Sequence, residues 1–406
     1  ILDWWGVTVA GADEPVARIL REVVSEPSGP ATILGTSLTA SPVTAALLNG
    51  TAGHALDYDD VSIAMPGHPT IPLLPGLVAL AEARGLPGRD VLAAFVVGVE
   101  VVCRVCQALF PGHYRAGWHA TATIGRIAGA AAAARLLGLD AEGVDRAVGL
   151  GAAQLGGIQE AFGTMAKPFQ VGRAAGDAVL AALAAERGIT APRGILDTEG
   201  WGRRLSPNWA PERLVDGLGE RDAVGEIIFN RYPCCFATHA ALAGLLALRP
   251  RLDPSVIESV ELDVCPTTLQ VADQREPRSG LAGKFSITYC AAAALARGRL
   301  REDDFTDTAV CDSTVQALAA RVRIAPNPGL DETQARVVVR LRGGVSHETE
   351  VSLRVGEDLE PTRRDLLEKF RHLVAPRLGA AEAERLIASI ARLDEVDDLR
   401  ELGRVG

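Results

Sequence analysis

The hydrophobic period of this chain changes twice, and that change limits its architecture more than any other feature. From residue 1 to about 219 apolar residues recur three and four apart, over 17–24, 43–48, 73–83, 91–110, 121–137 and 171–185, with Gly and Pro between the runs. These read as helices. From about Val256 the period is two: Val260, Leu262 and Val264 alternate with Glu261 and Asp263, the pattern of a strand with one wet face. Val337, Val339 and Leu341 alternate with Arg336, Arg340 and Arg342, interrupted by Val338. Gly343 and Gly344 then turn the chain, and Thr349, Val351 and Leu353 return it, which predicts a β-hairpin. Helical pieces over 236–248, 285–296 and 313–320 separate these strands, and the helical period returns in 365–373 and 380–393. The expectation is a mainly α protein in which residues 1–229 and 359–406 build one helical domain. An α+β domain, residues 230–358, is inserted between its two parts.

Aromatic residues are 4% of the chain, while 42 are glycine and alanine runs occur, as at 130–134. Such small residues let helices approach closely. The 406 residues carry a net charge of −10, which argues against nucleic-acid binding and against an anionic membrane surface as partners. An anionic substrate would need a locally basic pocket. The most apolar stretch, 91–110, approaches membrane-spanning length, but Glu100 and Arg104 interrupt it at i,i+4 spacing, so a buried helix fits better. Seven cysteines in mostly apolar settings suggest reduced thiols and a cytoplasmic protein. The chain begins at Ile1 rather than Met, which leaves the natural N-terminus open.

Four clusters carry residues fit for chemistry. The first is His54-Ala-Leu-Asp57-Tyr-Asp59-Asp60, followed by Gly67-His68-Pro69-Thr70. Three carboxylates in four residues are costly to place together unless solvated, paired or used. One reading is an acidic loop capping a helix that starts near Pro72. The other has Asp57 facing a pocket, orienting a histidine or accepting a substrate hydroxyl. In the second, Gly117-Trp118-His119-Ala-Thr121, His119 precedes a helix, where the dipole disfavours the imidazolium; it is either a helix cap or a neutral base or donor. In the third, Lys167-Pro168-Phe-Gln170-Val-Gly172, Lys167 is one of only three lysines in an arginine-rich chain, the others being Lys284 and Lys369. A retained lysine offers a compact, desolvatable ammonium, and Pro168 favours a first helical turn. The alternative is a solvated loop lysine. The fourth is Asn230-Arg231-Tyr232-Pro233-Cys234-Cys235-Phe-Ala-Thr238-His239, where a thiol near a helix start is either reactive or simply a small buried hydrophobe. Ligand spacings such as H-x-x-x-H are missing, and Gly149-Leu-Gly151 lacks the setting of a dinucleotide fingerprint, so neither metal nor cofactor is expected.

With Lys284-Phe-Ser-Ile-Thr-Tyr289 added, these clusters together make the sequence resemble the MmgE/PrpD superfamily over nearly its whole length. The resemblance implies an all-helical domain made from both chain ends, an α/β lid inserted between, a homodimer and a metal-free site. Known activities in the family are dehydration of 2-methylcitrate, decarboxylation of cis-aconitate and epimerisation of iminodisuccinate. Carried over by position, Asp57, His68, His119 and Lys167 match pocket residues and Tyr289 a lid residue facing the pocket. Asn230 and Arg231 stand where the decarboxylases have a lysine before the Tyr/Phe-Pro step, Cys235 where they have a histidine, and Val61 where they have a hydroxyl residue. The pocket is therefore not expected to be tuned to cis-aconitate.

The family's reactions share a carbanion or enolate-like centre beside a carboxylate, which needs a base and stabilising cations. The expected roles are His119 as base or acid, Lys167 and His68 as carboxylate anchors and Asp57 as orienter. Cys235 or Tyr289 would be a second proton donor, and Arg231, Asn230 and His239 substrate contacts. The expected function is a cofactor-independent lyase, foremost a dehydratase of a small di- or tricarboxylic acid. A dicarboxylate epimerase and a non-catalytic binding or scaffold homologue are the alternatives.

Overall fold

The computed structural model describes residues 1–24, 28–220, 222–353 and 359–403. The expected domain boundary at residue 358 lies outside the described residues. The protein is mainly α-helical, and its chain divides into two compact units. One comprises Ile1–Glu160, Ala166–Phe229 and Gly356–Gly406; the other comprises Ala161–Met165 and Asn230–Val355.

In chain order the main helices are α1 (Leu2–Gly11), α2 (Pro42–His54), α3 (Leu74–Arg84), α4 (Gly88–Leu109), α5 (Ala120–Leu136), α6 (Ala141–Ala152) and α7 (Ala166–Glu186), all in the first unit. The second unit contributes α8 (His239–Leu248) and α9 (Ile287–Arg297), and the first unit resumes with α10 (Leu359–Leu378) and α11 (Ala380–Ile390). Local chemistry sets the ends. Pro42 opens α2 behind Ser41, whose hydroxyl accepts the Thr44 N–H at 3.3 Å. Gly85, at φ +63°, closes α3 in the left-handed conformation that a side chain would resist.

Small residues let these helices touch through their backbones. At Gly172 of α7 an added Cβ would lie 2.0 Å from Thr51 Oγ1 and 2.4 Å from the Leu47 carbonyl, both on α2. Any side chain there would push α2 and α7 apart and carry the first turn of α7 away from the loop that leaves α2. The C-terminal stretch is stitched to the same loop. Lys369 of α10 donates to the Tyr58 carbonyl at 2.7 Å, pairs with Asp3 of α1 at 2.6 Å and lies over the Tyr58 ring. The apolar stretch at 91–110 becomes α4, which buries Val91, Phe95, Val99 and Val102 in the core of the first unit. Glu100 and Arg104 pair on its flank at 2.5 Å.

The second unit is built on a four-stranded sheet of order β2-β1-β3-β4, with β1 Ile257–Val264, β2 Val322–Pro326, β3 Gln334–Leu341 and β4 Ser346–Ser352. The hairpin β3–β4 pairs antiparallel, with Val337 opposite Thr349. Val260, Leu262, Val264, Val337 and Val339 share one core with residues of α8 and α9. Val338, which broke the alternation, is 4% exposed on the opposite face. Strand β2, parallel to β1, has no counterpart in the sequence reading. It is short and ends in Pro326, and parallel pairing leaves no local turn signal.

Candidate active site

The loop leaving α2 carries a cluster of buried polar residues in the first unit. Asp57 sits at φ +50°, a left-handed conformation that aspartate tolerates better than most side chains. This sharp turn leaves Asp57, Asp59 and Asp60 each buried, and none caps α3, whose N-cap is Leu73 without a side-chain bond. The capping reading is thereby replaced: Asp60 accepts the Thr70 hydroxyl at 2.5 Å, and the other two carboxylates face cations and imidazoles. Lys167, in the first turn of α7 and 4% exposed, forms an ion pair with Asp57. The solvated-loop alternative for this lysine is excluded by that burial.

His68 Nδ1 is 3.2 Å from Asp59 Oδ2, and its Nε2 is 3.8 Å from Asp57 Oδ1. Burial opposes its charge, but the two carboxylates outweigh burial and raise its pKa above the usual histidine value. Asp57 and Asp59 are held below the carboxylate range despite burial, Asp57 by Lys167 and His68, Asp59 by His54 and His68. The cluster therefore holds two cations against two carboxylates. It could admit one further carboxylate only by loosening an existing ion pair.

His119 is the N-cap of α5 and makes no side-chain cap bond. Its pKa lies well below the usual value, chiefly through burial and secondly through the Lys167 charge. Burial thus does more than the helix terminus invoked from the sequence. His54, at the end of α2, holds Asp59 through Nδ1 at 2.8 Å, meets the edge of His68 with centroids 4.6 Å apart and stacks on His119 at 5.9 Å. Burial depresses its pKa to about 4, against the pull of Asp59. Asp57, His68, His119 and Lys167 are thus brought together. The sequence reading assigned no role to His54, Asp59 or Gln170, the last of which bonds His119 Nδ1 at 2.6 Å. The available signals were a histidine and an aspartate within one short motif and a glutamine in the run after Lys167.

The remaining expected site residues belong to the second unit. Asn230 is buried, Arg231 exposed and Cys235 half-buried. His239 contacts the Cys234 carbonyl through Nε2 at 3.0 Å. The Cys234 thiol is depressed: bonds with Cys290, His239 and Thr238 overcome burial and bring it to about 5. Tyr289 is fully buried in the core of this unit, with its hydroxyl donated to the Asp304 carbonyl and its pKa raised by burial. A phenol so committed packs well and is poorly placed to pass a proton to a ligand.

His54, Asp57, Asp59 and His68 present nitrogen and oxygen atoms within 4.8 Å of one another, which is close enough for a metal ion. Lys167 already supplies a cation to Asp57, and His54 and His68 both turn a ring nitrogen to Asp59. A dication would have to displace those contacts.

This geometry can be set beside known proteins. Residues 1–213 match the MmgE/PrpD N-terminal domain and residues 232–395 the MmgE/PrpD C-terminal domain. The chain belongs to the MmgE/PrpD family. It is 27% identical to the cis-aconitate decarboxylase-like protein oryM of Aspergillus oryzae, over 99% of this chain and 90% of that one. Human cis-aconitate decarboxylase is 28% identical, over 88% of this chain and 78% of its own. The 2-methylcitrate dehydratase of Cupriavidus necator is 26% identical, over 91% and 82%. These MmgE/PrpD relatives are lyases, one group losing carbon dioxide and the other water.

Proposed function

We propose that this MmgE/PrpD protein is a lyase that removes water from a small hydroxylated di- or tricarboxylic acid by taking a proton from the carbon beside a carboxylate. The observation that carries the reading is the buried set Asp57, His68 and Lys167, in which two cations lie against carboxylates beside two neutral imidazoles. Lys167 and His68 supply positive charge for a substrate carboxylate and for the enolate-like charge that develops on it. The imidazoles supply proton transfer without metal or cofactor. A homodimer and a cytoplasmic setting remain part of the proposal.

Decarboxylation is the second reading, favoured by the decarboxylases among the relatives. Asn230, Arg231 and Cys235, which differ from the decarboxylase pattern, speak for water loss. The test is a panel containing 2-methylcitrate, cis-aconitate and related polycarboxylates, followed in deuterium oxide for alkene formation, carbon dioxide release and deuterium uptake. Alkene formation from a hydroxy acid supports the dehydratase. Carbon dioxide release from cis-aconitate replaces it with the decarboxylase. Deuterium uptake with inversion and no elimination indicates an epimerase, and no turnover or binding indicates an inactive homologue.

A further inference from the structure

Two neutral imidazoles lie stacked in the cluster, and their partners fix which nitrogen of each carries the hydrogen. An ionised carboxylate only accepts, so the 2.8 Å contact between His54 Nδ1 and Asp59 places the hydrogen of His54 on Nδ1. Its other nitrogen, Nε2, is buried and has no hydrogen-bond partner. In His119 the logic reverses. The Gln170 amide spans the backbone of Ile158, its oxygen accepting the Ile158 N–H at 3.2 Å and its nitrogen donating to the Ile158 carbonyl at 3.1 Å. Flipping the amide would break both bonds. The same amide nitrogen therefore faces His119 Nδ1 at 2.6 Å and donates to it, so the hydrogen of His119 resides on Nε2. His54 keeps a lone pair on Nε2, and His119 keeps a hydrogen there.

We infer that His54, oriented by Asp59, accepts the substrate's proton, and that His119 is a neutral hydrogen-bond donor. The inference rests on the lyase reading above and reassigns the base within it. A buried ring nitrogen left without a partner is costly, and its lone pair is uncommitted to any hydrogen bond. The carboxylate behind the ring stabilises the imidazolium that forms. In the reaction the C–H bond beside the substrate carboxylate breaks, the electron pair delocalises into that carboxylate, and the proton bonds to His54 Nε2. Lys167 and the Nε2–H of His119 meet the growing negative charge. The C–O bond then breaks, and the hydroxyl takes its electron pair and a proton from the His68 imidazolium to leave as water. Exchange with solvent returns both rings to their starting protonation.

The first measurement needs no substrate. Long-range proton–nitrogen spectra of the histidine-labelled wild type, assigned with His54→Gln and His119→Gln, report the protonated nitrogen of each ring. The expected result at neutral pH is His54 bearing hydrogen on Nδ1 alone and His119 on Nε2 alone. Hydrogen on His54 Nε2 overturns the inference. The second follows deuterium uptake into whichever panel acid the wild type turns over. His54→Gln should lose at least about a hundredfold in uptake and in turnover, whereas His119→Gln, which removes one donor to the developing charge and leaves the base in place, should lose less of both. Asp59→Asn turns an amide donor to Nδ1 and should move the His54 hydrogen to Nε2 in the spectrum, with a comparable loss of uptake. Retained uptake in His54→Gln overturns the assignment while leaving the lyase reading intact. A wild type inert toward the whole panel overturns the lyase reading, and the spectra then decide the assignment by themselves.

Discussion

In the first unit Lys167 and His68 answer carboxylates, whereas in the second unit Lys284, His239 and Tyr289 answer backbone carbonyls, those of Pro233, Cys234 and Asp304. The difference separates two uses of buried polarity. A side chain bonded to a carbonyl fastens one stretch of chain to another, and the bond is lost only with the local fold. Charges bonded to charges can be redistributed when a further charge arrives, because each carboxylate can exchange one cation for another. The second arrangement is the one that can respond to an anionic ligand, and Lys167 and His68 present it where the loop after α2 meets the first turn of α7.

The sharpest way to break the comparison is to remove the key cation of each region. Lys167→Met should lower turnover at least about a hundredfold, and by stranding buried Asp57 it should also cost about 3–5 kcal/mol in denaturant unfolding. Lys167→Arg should recover only part of the turnover, because a planar guanidinium does not place its charge where the ammonium did. Lys284→Met should cost about 1–3 kcal/mol of stability with turnover per folded molecule within about threefold of wild type. Equal losses of turnover in Lys167→Met and Lys284→Met would erase the distinction.

A pH profile sharpens it next. The depressed His54 is neutral and able to accept a proton above about 4, so kcat/KM should fall as pH drops through that value. The raised His68 is cationic below a pKa that exceeds the ordinary value near 6.5, so kcat/KM should fall again as pH rises through it. Beyond either limit the loss should approach about tenfold per pH unit. Asp57, Asp59 and Lys167 face these rings and couple the two limbs. An alkaline limb beginning below 6.5 would contradict the charge assigned to His68.

Tyr289→Phe should have a smaller effect, about 1 kcal/mol of stability and turnover within about threefold; a hundredfold loss would return Tyr289 to the proton-donor role expected from the sequence. Chelator treatment should change nothing, and stoichiometric zinc or iron retained at His54, Asp57, Asp59 and His68 would replace the ion-pair account with a metal one.

Sequence alone carried much of this. The switch from a period near 3.6 to a period of two is visible because β1 and β3 each bury one face, and Lys167 stood out because lysine is so rare here. Helix α1 was not distinguished because it is buried on nearly every side, leaving no polar face to set a period. His54 and Gln170 were passed over for a different reason. Their roles lie in which nitrogen meets which oxygen, and only the backbone path of Ile158 and the turn at Asp57 determine that. At Tyr289 the motif position gives no sign that the hydroxyl is donated to the Asp304 carbonyl.

The claim that the first-unit cluster, and not the second-unit motif, receives the anionic ligand is tested most directly by calorimetric titration with propane-1,2,3-tricarboxylate, which lacks a leaving hydroxyl. Wild type and Lys284→Met should bind it with the same affinity, and Lys167→Met should bind at least about tenfold more weakly. Unchanged affinity in Lys167→Met, or an equal loss in both variants, would contradict the account.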